Sequence, residues 1–171
     1  EQTCAPTPDG SAKEPFHIPL TVGLLGPTGQ ALTNATVSAD TDARPSRIDR
    51  REDSMLLELT ERRQSFHFDG LDARPVPSLL QGFSAPVRLR FARSDDELSF
   101  LMRADTDAFN RWDAGQEFAQ RLIIQGVEDT REGREPTFSD DYVDALRAVL
   151  EDPALDRALA AEMFSLPAES Y

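Results

Sequence analysis

The sequence predicts a small β-sandwich joined to an all-helical segment, with the change falling between residues 1–93 and 94–171. Three observations lead there. Before Ser94, short stretches alternate apolar and polar residues and are separated by turn-forming residues. After Ser94, apolar residues recur at the three- and four-residue spacing of helices. At the change itself, Ser94 stands three residues before Glu97, the spacing of a capping box.

The first strand is expected in "FHIPLTVGLL", where Phe16, Ile18, Leu20, Val22 and Leu24 fall on one face. "GPTGQ" supplies a turn, and "ALTNATV" is expected to return as a second strand. The charged stretch "DTDARPSRIDRRED", residues 40–53, reads as an exposed loop. "SMLLELT" and "RQSFHFDG" resume the alternation, the latter with Phe66 and Phe68 on one face. "VRLRFAR" is expected to close the sandwich, with Val87, Leu89 and Phe91 inward. Between them lies "RPVPSLLQGFSAP", apolar but interrupted by Pro75, Pro77, Gly82 and Pro86. Proline offers no N–H to a ladder, so this run is expected to cross from one sheet to the other, or to pack the sandwich against its neighbour, outside any regular pairing.

Four helices follow. The first starts at the Ser94 cap, where Asp95, Asp96 and Glu97 also suit the positive end of the helix dipole. The second is expected from Asp105 or Thr106, with Phe109, Trp112, Gln116, Ala119 and Ile123 inward and Gly126 as its stop. Ser139 is expected to cap the third, which carries Tyr142, Val143, Leu146, Val149 and Leu150. Asp152–Pro153 is expected to open the fourth.

Composition excludes several classes of function. With 171 residues, 39% hydrophobic and 29% charged, the chain suits one ordinary or two small globular domains. No apolar run approaches the roughly 20 residues that span a bilayer, and no N-terminal signal pattern is present, so no membrane partner is expected. The expected location is cytoplasmic. Cys4 is the single cysteine, which excludes an internal disulfide framework and reads as an inert thiol near a loose end. The net charge is −13, and residues 94–171 carry 19 acidic against 7 basic side chains. Such a surface repels a phosphate backbone, so nucleic acid is not an expected partner.

No residue stands out as catalytic, cofactor-binding or metal-ligating. His17 and His67 sit on polar strand faces without a third ligand at zinc spacing. Asp95, Asp96, Glu97, Asp140 and Asp141 are explained by helix starts. Trp112 is expected to be a core anchor of the first helical pair. Ser84 lacks the G-x-S-x-G setting of a hydrolase nucleophile.

"RPVPSLLQGFSAPVRLRF" followed by "SDDELSFLMRADTDAFNRWDAGQ" resembles the segment after the catalytic domain in the bacterial aminopeptidase N family of zinc metallopeptidases. "TPDGSAKEPFHIPLTVGLL" and "LRAVLEDPALDRALAAEMFSLP" match in the same order, so the resemblance covers nearly the whole chain except residues 40–53. It implies an immunoglobulin-like β-sandwich followed by the N-terminal helices of an α-solenoid-like C-terminal domain. It also implies a parent hydrolase that removes N-terminal residues from peptides with a zinc-activated water. That chemistry needs an H-E-x-x-H helix with a downstream glutamate, and a G-x-M-E-N segment; neither motif is in this chain.

The leading expectation is therefore a non-catalytic linking segment, without a cofactor of its own, whose partners are the parent's catalytic and helical domains. Zinc and peptide substrates belong to the parent. The opening "EQTCAPT" and closing "LPAESY" read as cuts within a longer chain. The rival reading is a free-standing immunoglobulin-like module that binds a protein or sugar through its loops. The last two helices, apolar over a wide arc, are expected to drive self-association when their neighbours are missing.

Overall fold

The computed structural model describes residues 1–11, 13–40, 48–50 and 52–168. Two compact units emerge, Glu1–Arg88 and Leu89–Tyr171.

The first unit is built on β1 (Ile18–Leu25), β2 (Thr36–Asp40), β3 (Ile48–Arg50), β4 (Met55–Leu59), β5 (Ser65–Asp69) and β6 (Val76–Leu79). One antiparallel sheet has the order β3-β4-β1-β6, and β2 pairs with β5 in a second. Val22 and Leu24 of β1 and Met55 and Leu57 of β4 form the buried core. Val37 of β2 and Phe66 and Phe68 of β5 pack against it from the smaller sheet. Alternation puts these side chains on the inner faces, and two facing sheets then bury them together.

The proline-rich run does enter a ladder, contrary to expectation. Val76–Leu79 pairs with β1 in the register Val22↔Leu79 and Leu24↔Pro77. Pro77 is tolerated because β6 is an edge strand and because of its register. The Leu24 carbonyl accepts from Leu32 N–H at 2.8 Å, so the backbone polar groups of Leu24 turn away from β6. Leu24↔Pro77 is then a non-hydrogen-bonded pair, and the proline nitrogen faces the open edge.

After β6 the chain folds back over β1. Leu80, Gly82 and Phe83 all take left-handed backbone, with φ of 58°, 61° and 52°. For leucine and phenylalanine this costs roughly 1 kcal/mol or more each. The turn sets the Ser84 hydroxyl to accept from Thr21 N–H at 2.9 Å and lays the Gln81 side chain over Gly23. A Cβ on Gly23 would stand 2.5 Å from Gln81 Nε2, so a larger residue would displace the Gln81 amide. Thr21 and Gly23, on the opposite face of β1 from Val22 and Leu24, are consequently buried.

Two further strand expectations change. "ALTNATV" makes only a bridge from Ala31 to Leu25 before β2 leaves for the second sheet. Residues 87–93 form no strand, and Val87, Leu89 and Phe91 are 38–43% exposed. Val87 N–H instead bonds back to the Ala85 carbonyl at 2.9 Å, beside the donorless Pro86. Most of the charged stretch 40–53 lies outside the described residues, but its residues 48–50 pair with β4 instead of looping.

The second unit contains α1 (Asp95–Ala104), α2 (Ala108–Arg131), α3 (Asp140–Glu151) and α4 (Arg157–Met163). Ser94 and Glu97 form the expected capping box, and Ser139 caps α3. The α2 cap is Asp107, which accepts from Asn110 N–H at 2.9 Å. Proline does not open α4; Asp152 ends α3, and Asp156 caps α4 by accepting from Ala158 and Leu159 N–H, both at 3.0 Å. Leu98, Leu101 and Met102 of α1 are buried, as are Ala114, Phe118 and Ala119 of α2. Ala145, Val149 and Met163 bring α3 and α4 into the same set of buried side chains. Phe118, 1% exposed, is the large aromatic anchor and contributes about 2 kcal/mol by burial. Trp112 is only half-buried, its ring tilted 40° against that of the exposed Phe109 with centroids 5.3 Å apart. Of the expected α2 stripe Gln116 and Ala119 are buried, Phe109 and Ile123 are exposed, and the buried face takes in Arg111, Ala114, Gly115 and Phe118 instead.

Gly126 does not end α2. The helix runs on to Arg131, where Gly133 (φ 73°) forms the stop. Gly133 N–H reaches the Thr130 carbonyl and Arg134 N–H the Asp129 carbonyl, the paired bonds of a Schellman motif.

Candidate functional site

The histidines are surface residues with one carboxylate each. His17 lies just before β1 with Nε2 3.4 Å from Glu58 Oε1, and its side chain is 60% exposed. His67 lies on β5 with Nε2 3.0 Å from Asp40 Oδ2 on the neighbouring strand β2. Among the described residues no three His, Cys, Asp or Glu side chains come together in a way that could hold a metal ion. The described residues do not fit a zinc site.

The other candidates have structural occupations. Ser84 serves the Thr21 backbone. Asp95 pairs with Arg121 Nη1 at 2.9 Å, and Glu97 closes the cap. Asp140 and Asp141 lie in the first turn of α3. Cys4 is exposed and receives a contact from Lys13 Nζ at 3.4 Å. It is not at a loose end, because Gln2 clasps the segment through Phe16 and Glu61 carbonyls at 2.8 and 3.0 Å. Asp9, held down to about 2, accepts from the Thr7 hydroxyl and Ser11 in an exposed turn.

Two polar networks in the helical unit were not expected from the sequence. Arg111, on the inward face of α2, donates from Nε to the Met102 carbonyl at 3.0 Å and from Nη1 to Asp152 Oδ2 at 3.0 Å. One guanidinium thereby joins the last turn of α1 to the end of α3. Its hydrogen bond holds the Asp152 carboxyl below the usual range. The signal was an arginine in helical register with Ala114, Gly115 and Phe118, a charge on an apolar face.

The second network ties the entry to α1 onto α2. Arg93 Nη1 meets Glu117 Oε2 at 2.8 Å, and Arg121 binds Glu117, Asp95 and the Arg93 carbonyl. Asp113, next to this cluster, has its carboxyl raised by burial, with the Arg93 charge opposing the shift. These groups are arranged to hold helices together. None of them is paired as nucleophile and base.

The chain is thus a two-sheet β-sandwich followed by stacked helices that partly buried ion pairs tie together. Residues 1–92 match the family profile described as a domain of unknown function (DUF3458) with an Ig-like fold, and residues 95–171 match its companion DUF3458_C, described as ARM repeats. The chain belongs to the DUF3458 family. It is 37% identical over 161 residues to Aminopeptidase N of Escherichia coli, covering 94% of this chain and 17% of that protein. It is 32% identical over 171 residues to Aminopeptidase N of Haemophilus influenzae, covering 98% of this chain and 18% of that protein. Among solved structures, Legionella pneumophila aminopeptidase A in complex with aspartic acid is similar, with a TM-score of 0.65 and 27% identity. That match covers 89% of this chain and 15% of the Legionella chain. The chain thus spans less than a fifth of the length of these relatives.

Proposed function

We propose that the chain is a non-catalytic linking segment of a zinc-dependent, cytoplasmic aminopeptidase that removes N-terminal residues from peptides. The observation that carries this reading is the near-complete alignment of the chain to a 17–18% share of proteins named Aminopeptidase N. The zinc and the reacting groups belong to other parts of the parent polypeptide, since His17 and His67 do not fit a metal-binding role. This segment contributes position. The sandwich core and the Arg111 and Arg121 networks keep each unit rigid, and small misplacements of reacting groups lower rates steeply.

The test is the reading frame that encodes the chain, together with metal analysis. An H-E-x-x-H motif upstream in the same frame is expected. The chain itself, stripped by chelator and re-exposed to zinc, should retain far less than one ion per molecule. A frame without the motif, or one tightly held zinc per chain, overturns the reading.

A further inference from the structure

We infer that the cleft between residues 89–93 and α2 binds a free α-amino acid with an apolar side chain, its carboxylate on Arg93 and its ammonium on Asp113. The cleft lies within the helical unit and has a volume of about 610 Å³, a size that suits a small ligand. Leu89 and Phe91, 38% and 43% exposed, give it an apolar wall. The α2 wall is polar, with Asp113, Gln116 and Gln120.

Arg93 has a bonding edge to spare. Its side chain is only 10% exposed, and Nη1 is taken by Glu117 Oε2 at 2.8 Å. Nε is shielded from water without a partner, and Nη2 makes no hydrogen bond among the described residues. Nε and Nη2 form one edge of the guanidinium, a fork that a carboxylate meets with two parallel bonds. Asp113 supplies the opposite charge. Among the described residues its carboxyl has no hydrogen bond and no ion pair, although the charges of Arg93 and Glu117 both bear on it. Burial raises it above 3.8, as expected of a carboxyl whose charge lacks a close partner. Gln116, itself buried, donates from Nε2 to the Ser165 carbonyl at 2.9 Å, which leaves Oε1 to accept from an ammonium.

Charge selects the ligand. A simple anion on Arg93 would stand beside Glu117 and Asp113. A simple cation on Asp113 would face Arg93 and the exposed Arg90. A zwitterion sets each of its charges against the opposite one, and an apolar side chain completes the match against Leu89 and Phe91.

Titration of the 171-residue chain with L-leucine, followed by NMR, tests this. Saturable binding with Kd below about 1 mM is expected at pH 7. Isocaproate, which lacks the ammonium, and isoamylamine, which lacks the carboxylate, should each bind at least about tenfold more weakly. Asp113→Asn keeps the shape of the side chain; it should weaken leucine about tenfold and should not weaken isocaproate. Arg93→Lys keeps a charge for Glu117 but loses the fork, and should weaken both carboxylates. Leucine affinity should fall as pH drops from 7 towards 4, because the ammonium needs the ionised Asp113 carboxylate, and Asp113→Asn should abolish that slope. Absence of saturable leucine binding overturns the proposal. So does equal binding of leucine and isocaproate, or a pH slope that survives in the asparagine variant.

Discussion

Ser94 and Glu97 cap each other at the start of α1. The Ser94 hydroxyl accepts from Glu97 N–H at 3.2 Å, and Glu97 Oε2 accepts from Ser94 N–H at 2.9 Å. Two otherwise unpartnered donors at the helix entry are satisfied at once. Ser94→Ala should cost about 1 kcal/mol in urea unfolding, and Ser94→Asp should recover most of it. Equal stability of the alanine variant and the parent would show that the cap contributes nothing.

Arg111 should matter more than its single charge suggests. Arg111→Ala removes two hydrogen bonds and buried packing at the meeting of α1, α2 and α3, and should cost about 2–3 kcal/mol. Arg111→Lys should restore only part, since an ammonium cannot span both acceptors in the guanidinium geometry. The Asp152 carboxyl is lowered from 3.8 in the fold. Its contribution is present above that unfolded value and lost as pH falls through the lower folded one. Unfolding curves at several pH values check both points, and full rescue by lysine would contradict the bridging role.

Gly126 and Gly133, towards the C-terminal end of α2, should respond in opposite directions. Gly133→Ala forces a side chain into left-handed backbone and should destabilise by about 1 kcal/mol. Gly126 lies in the helix interior, where an added Cβ meets Pro136 at an ordinary 3.6 Å. Gly126→Ala should therefore stabilise by about 0.5–1 kcal/mol. Thermal unfolding of both variants checks the pair, and destabilisation by Gly126→Ala would mean that the helix ends there after all.

That contrast also shows where sequence reading stops. The change of period at Ser94, both serine caps and the Phe66/Phe68 face were legible because each depends on residues close in the chain. Gly126 and Gly133 are locally equivalent as stops, and the choice between them depends on what packs beside the helix. Pro77 was misread for a related reason. A proline excludes a strand only if its nitrogen faces a partner, and edge position and register are tertiary facts. Val87, Leu89 and Phe91 alternate like a strand, yet alternation supplies no neighbour to pair with. The absence of a catalytic motif could be read directly. The Arg111 and Arg121 networks could not, since Asp152 lies 41 residues beyond Arg111.

Asp113 should show the reverse pH sign to Asp152. Burial raises its carboxyl above 3.8, so the fold disfavours its ionised form. Its unfavourable effect is absent below 3.8 and develops as pH rises through the higher folded value. Asp113→Asn should thus raise the melting temperature at pH 7, with the gain fading as pH falls towards 4. A loss of stability at pH 7 would show that the charge of Asp113 is used by Arg93 and its neighbours.

As proposed above, this chain positions an aminopeptidase without performing its chemistry. The most direct measurement assays the full-length polypeptide from its reading frame beside the 171-residue chain, both on chromogenic aminoacyl substrates. Chelator-sensitive release of amino acids is expected from the full-length protein and none from the chain. Release by the chain alone, or a folded full-length protein inert across these substrates with zinc supplied, would contradict it.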